Sequence, residues 1–144
     1  MHMHTDQARR RREFFIYAPP VLEDFSSVVL PIDTDAEFEL MKLAHFSEAA
    51  GGEFAFGDPQ TEETRILPLL ELQILDTGTG RNVFSAFVPF AALFGDGKVP
   101  FVLPTTKIFA RQSKLEITVQ PVDDAVANNF RVRLALIGEK IFTY

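Results

Sequence analysis

Lys114–Gln120 reads KLEITVQ. Leu115, Ile117 and Val119 alternate with Lys114, Glu116, Thr118 and Gln120, a period of two that puts one face of a strand in a core and the other in water. Pro121 has no N–H for a ladder, so the strand is expected to stop there, and the following DDAVANN turns the chain. Phe130–Ile137 repeats the pattern, with Phe130, Val132, Leu134 and Leu136 on one face and Arg131 and Arg133 on the other. These two runs are expected to pair antiparallel across a long connection. Upstream, Ile66–Leu75 and Asn82–Val88 flank Asp76–Gly80 (DTGTG), whose glycines suit a tight turn, so a hairpin is expected. Pro68 places the start of its first run at an edge or bulge. The fold class that follows is all-β.

Asp33–Phe46 (DTDAEFELMKLAHF) reads two ways. Thr34 and Glu37 have capping-box spacing, and Gly51 could end a helix. Phe38, Leu40, Ala44 and Phe46 also alternate, with Lys42 the exception, as a strand requires. Periodicity alone leaves both open. Residues 47–64 collect Gly, Pro, Asp and Glu and read as a long surface loop.

The chain has 144 residues, 47% of them apolar, enough for one domain with a real core. Its fifteen Phe against two Tyr and no Trp favour dry contacts, because Phe has no polar handle. No apolar run approaches the roughly 20 residues of a membrane span, and Met1–Arg12 lacks an apolar leader segment. Synthesis and assembly in a cytoplasm are expected. The absence of Cys excludes disulfides and thiolate chemistry. Of the net −6, residues 1–13 contribute +2 (Arg9, Arg10, Arg11 and Arg12 against Asp6 and Glu13), leaving −8 on the body. An acidic body does not suit a nucleic-acid partner. Residues 1–13 therefore read as a basic N-terminal arm and 14–144 as a single domain. Four adjacent Arg repel one another alone but can bind carboxylates of an acidic neighbouring copy.

Residues 87–109 (FVPFAALFGDGKVPFVLPTTKIF) place Phe87, Phe90, Phe94, Phe101 and Phe109 among three prolines and the Gly95-Asp96-Gly97 turn. Prolines break regular elements, so this segment is expected to be largely loop. Large apolar rings on surface loops mark a contact, since each exposed ring forgoes roughly 1.5–3 kcal/mol of burial. Folding back to cap one end of the domain is the alternative. Arg9, Arg10, Arg11 and Arg12 with Phe87, Phe90, Phe94 and Phe101 are the expected subunit-contact residues.

In order and character, FFIYAPP (14–20), DTDAEFELMKLAHF (33–46), RILPLLELQILDTGTGRNVF (65–84), FVPFAALFGDGKVPFVLP (87–104) and FRVRLALIGEKIF (130–142) resemble a family of small tailed-phage structural proteins of the head or neck. The Arg-rich arm and Gly51–Asp58 fall outside the resemblance. It implies an antiparallel β-sandwich, jelly-roll-like, with Glu37–Phe46 a strand. It also implies a non-enzymatic virion subunit, either a capsid decoration (cement) protein or a neck or collar ring protein. The partners implied are other copies of the chain and major capsid or neck proteins, with no cofactor and no catalytic residue carried over.

The main rival is Asp76-Thr77-Gly78, since an apolar strand ending in Asp-Thr-Gly is how dimeric aspartic proteases present a carboxylate. Gly80 argues instead for a turn, and Ile137-Gly138 is a poor match to the second element of that family. His2, His4, His45, Asp123 and Asp124 lack metal-ligand spacing. No Ser has a nucleophile-elbow context and no Gly loop has a phosphate-binding form. A carbohydrate-binding module has only Tyr17 and Tyr144 for sugar stacking.

Overall fold

The computed structural model describes residues 10–23, 26–49, 69–95, 99–122 and 130–143. Ten strands run in the order β1 (Arg10–Tyr17), β2 (Leu22–Glu23), β3 (Ser26–Pro31), β4 (Glu37–Ala49), β5 (Leu70–Asp76), β6 (Arg81–Asn82), β7 (Val88–Pro89), β8 (Phe101–Phe109), β9 (Lys114–Pro121) and β10 (Phe130–Thr143). Among the described residues one short helix, α1 (Phe90–Phe94), directly follows β7. Sheet A has the order β1-β10-β4-β8, with β2 also on β10. Sheet B has the order β3-β9-β5-β6, with β7 also on β5. Every pairing is antiparallel. The molecule is an all-β sandwich, its core formed by Leu22, Phe38, Leu40, Leu43, Leu134 and Leu136 of sheet A against Leu30, Leu70, Leu72, Ile74, Leu115, Ile117 and Val119 of sheet B.

The alternation in KLEITVQ is realised: Leu115, Ile117 and Val119 are fully buried. Its partners differ from the expectation. β9 pairs with β3 and β5, whereas β10 lies in the opposite sheet beside β1, β2 and β4. Two half-buried strands with equal patterns can line one core from either side, and alternation carries no label for the sheet. The connecting residues 123–129, including Asp123 and Asp124, lie outside the described residues.

Asp33–Phe46 resolves as a turn at Thr34-Asp35 followed by strand β4. The capping box is not used. β4 is central in sheet A, between β10 and β8, and buries Phe38, Leu40 and Leu43. Tertiary burial on two paired edges outweighs the local helix preference. Residues 47–49 extend β4 rather than opening a loop; 50–64 lie outside the described residues.

A bulge shapes sheet A. The β4–β10 register slips between Ile137 and Gly138, leaving Met41 as the extra residue. A Cβ on Gly138 would sit 1.8 Å from the Glu39 carbonyl oxygen, so only glycine allows the two backbones to approach there. β8 slips at the same place on the other side of β4, with Leu103–Thr106 spanning a single β4 residue. Pro104 sits in that irregular stretch of an edge strand, where no N–H is demanded. Phe101–Phe109 is therefore a nine-residue strand, not the loop expected of this proline-rich segment.

Sheet B has its own irregularity. The hairpin after β5 forms as expected, but its return strand breaks into β6 and β7. Gln73 repairs the gap: its side chain donates to Phe84 O (2.9 Å) and accepts from Phe84 N (3.2 Å) and Ile74 N (3.0 Å). The start of the first run, Ile66–Pro68, lies outside the described residues.

One end of the sandwich is closed by a polar cluster. Lys140 Nζ donates to Asp33 Oδ2 (2.7 Å) and reaches Asp35 Oδ1 (3.5 Å), 4.3 Å above the Phe15 ring centroid. The Tyr17 hydroxyl accepts from Asp33 N. Burial alone would lower the Lys140 pKa, but the hydrogen bond and charge of Asp33, with Tyr17 and Asp35, carry it upward. Burial pushes the Tyr17 phenol up.

Candidate contact surface

The expected contact residues scatter. Phe90 and Phe94 are 0% and 4% exposed within their own chain, so they are core residues rather than anchors offered to a neighbour. The reason is local. Pro89 starts one helical turn that places both rings against His45, with centroids 5.2 and 4.5 Å away. His45 itself is a buried structural residue whose Nδ1 lies 2.8 Å from Ser47 Oγ. Phe101 packs half-buried against the core and Phe87 is half-buried too. The capping alternative thus describes this segment better than the contact one.

The basic arm is also revised. Arg10, Arg11 and Arg12 belong to β1 and pair with Thr143, Phe142 and Ile141 of β10. Arg12 bonds Glu39 and Glu139 of its own chain, and Arg11 pairs with Glu13 (3.2 Å) and lies over the Phe142 ring. A regular antiparallel ladder with β10 holds these residues on the sheet. Arg9, with His2 and His4, lies outside the described residues.

What the structure brings together instead is the outer face of sheet A. Paired residues share a face, so the registers place Phe14, Glu139, Glu39 and Ile108 in one row across β1, β10, β4 and β8. Ile16, Ile137, Lys42 and Val102 form the next row. Ala135 with Ala44 and Arg133 with Phe46 continue the face along β10 and β4. Phe14 is 70% exposed, Val102 61%, Ile108 55% and Ile16 44%. Two of these exposed apolar side chains stand on the edge strand β1 and two on the opposite edge strand β8, with Glu139, Glu39, Ile137 and Lys42 between them.

Charge lies between these apolar edges and differs in sign along the strands. At the Phe14 end, Arg12 Nη1 bonds Glu39 and lies 3.2 Å from Glu139 Oε1, while Thr106 Oγ1 donates to Glu39 Oε2. The Arg12 hydrogen bond, then that of Thr106, holds the Glu39 carboxyl below its ordinary value, and the bonds to Glu39 and Glu139 raise the Arg12 guanidinium. One cation against two carboxylates leaves this end net negative. At the other end Arg133 is exposed, and Lys42 is an exposed cation between Ile137 and Val102. The sequence signal for this surface was present in β1 and β10, where apolar residues (Phe14, Ile16, Ala135, Ile137) occupy the positions that water-facing strands give to polar ones.

Asp76 sits in a turn. Its Oδ1 accepts from Gly78 N (3.0 Å), its carbonyl accepts from Gly80 N (2.8 Å), and Gly80 has φ +70°. Thr77 N and Oγ1 both donate to Lys114 O. These bonds account for Asp-Thr-Gly by backbone needs alone. Shallow clefts beside the turn are lined by Thr79, Arg81, Asn82 and Lys107 on one side and by Arg111, Gln112 and Ser113 on the other. No group of three or more His, Asp or Glu positioned to hold a metal occurs among the described residues. No helix there is long and apolar enough to cross a membrane.

Comparison of the chain with protein-family models, with curated proteins and with solved structures gave no match, so its fold and surface stand on their own geometry.

Proposed function

We propose that the chain is a non-enzymatic structural subunit of a tailed-phage virion, a capsid decoration protein that stabilises the head through contacts between subunits. The observation that carries this reading is the outer face of sheet A, where Phe14, Ile16, Val102 and Ile108 stand in water in the isolated chain. A surface of that kind is stabilised by being covered. Supporting it is the strand order. With β1 and β2 counted as one strand and β6 and β7 as another, eight strands lie as first-eighth-third-sixth over second-seventh-fourth-fifth. We read that order as jelly-roll-like, an architecture viral capsid proteins use, although the same architecture also serves lectins and enzymes. The resemblance of residues 14–144 to small head and neck proteins points the same way. Partners are further copies of the chain and a capsid or neck component.

Fractionating intact particles tests it. The chain should co-purify with particles in fixed copy number and be located by imaging on the head, or on the neck if the collar alternative holds. A chain found only in the unassembled fraction would overturn the proposal.

A further inference from the structure

We propose that the outer face of sheet A is covered by the same face of a second copy, related by a two-fold axis lying in the interface and perpendicular to the strands. This deepens the subunit reading by naming the surface and its occupant.

The placement of charge and volume along β10 and β4 carries the inference. Arg133 and Glu139 lie at equal distances on either side of Leu136, on the outward side of β10. At 3.3 Å or so per residue they are about 20 Å apart. A two-fold axis passing over Leu136 reverses the strand direction of the second copy. It sets each Arg133 over the partner copy's Glu139 end, where Glu39 and Glu139 outnumber Arg12. Both ends of the interface then gain an opposite charge, which a parallel stacking would place like over like.

Volume follows the same axis. Ile137 and Ala135 exchange places under the rotation, and so, one strand away, do Lys42 and Ala44. A large side chain of one copy therefore meets the hollow over an alanine of the other, as interdigitating sheets require. The contact is isologous and closes on itself, so it makes a dimer and not a filament.

The test is sedimentation equilibrium on the purified full chain at several concentrations. Wild type should be a dimer. Arg133→Glu should weaken the dimer at least about tenfold. Adding Glu139→Lys to Arg133→Glu should restore most of the loss, because each new anion then faces a new cation across the axis. Val102→Lys, which touches no ion pair, should weaken the dimer with the melting temperature of the monomer intact. Val29→Lys on sheet B should leave the mass unchanged. A monomeric wild type overturns the dimer whatever particle fractionation gives. A wild-type dimer indifferent to Arg133→Glu and Val102→Lys overturns it too. A dimer formed by a chain absent from particles would leave this inference standing and sink the virion reading alone.

Discussion

The two outer faces of the sandwich are built differently. Sheet B presents Ser27, Glu116, Thr118, Gln120 and Glu71, with Ser27 Oγ 2.7 Å from Thr118 Oγ1 and Gln120 donating to Glu71 Oε1 at 2.6 Å. Val29 is a large, exposed apolar group within its strands, and Leu69 and Val122, bonded to each other just beyond the ends of β5 and β9, are two more. Sheet A presents Phe14, Ile16, Val102 and Ile108. Both sheets bury equally regular inner faces, so core formation does not explain the contrast. Sheet B satisfies the pattern of a sheet with one wet side. Sheet A carries exposed apolar residues along both edge strands with charged residues between them, and this is the surface that the proposed contact would cover.

The largest expected effect removes the geometry that gives sheet A its outward set. Gly138→Ala forces a methyl into the Glu39 carbonyl, and a loss of about 3 kcal/mol or more is expected in urea unfolding, as for other strained close approaches. Unchanged stability would mean the bulge is not held as described. Next comes sheet B: Gln73→Leu strips Phe84 N, Phe84 O and Ile74 N of their partner. It should cost about 2–3 kcal/mol by the same measurement, since buried backbone groups lose hydrogen bonds.

A smaller pair of changes sharpens the contrast directly. Ile108→Thr and Val29→Thr should each move monomer stability by no more than about 0.5 kcal/mol. Only the sheet A change should weaken self-association measured by light scattering; equal effects would erase the distinction between faces.

The smallest effect concerns pH. The Glu39 carboxyl is held below its ordinary value of 4.5, first by Arg12 and then by Thr106. A depressed folded-state value means the unfolded chain binds the proton more readily. The stabilisation is therefore present above about 4.5 and lost as pH falls through the folded value. Glu39→Gln should flatten the stability profile in that acid range; an unaltered slope would show that the Arg12 contact contributes nothing.

Much of this was legible in the residues. Leu115, Ile117 and Val119 announced an inward face, and Asp76–Gly80 announced a turn, because alternation and φ > 0 are local requirements. Which strands would be neighbours was not legible: β9 and β10 carry the same pattern yet belong to opposite sheets. The prolines of 87–109 misled for a related reason. Pro104 is tolerated at a bulge of an edge strand, and being at an edge is a property of the sheet, not of the segment. Phe90 and Phe94 were expected outside because their neighbours are loop-formers, but one helical turn suffices to aim both at His45. The apolar part of the outer face of sheet A was written in Phe14, Ile16, Ala135 and Ile137. It could be recognised only once the registers put them on one face with Val102 and Ile108.

The chain has no cysteine, so single introduced thiols are clean probes of each face. Val102→Cys and Val29→Cys should be compared for their rate of alkylation in the assembled protein and again after dilution to monomer. The thiol at 102 should be shielded in the assembly and become reactive on dilution, while the thiol at 29 reacts quickly throughout. Equal, fast alkylation at both positions in the assembly would show that sheet A faces water, and that its apolar outer face covers nothing.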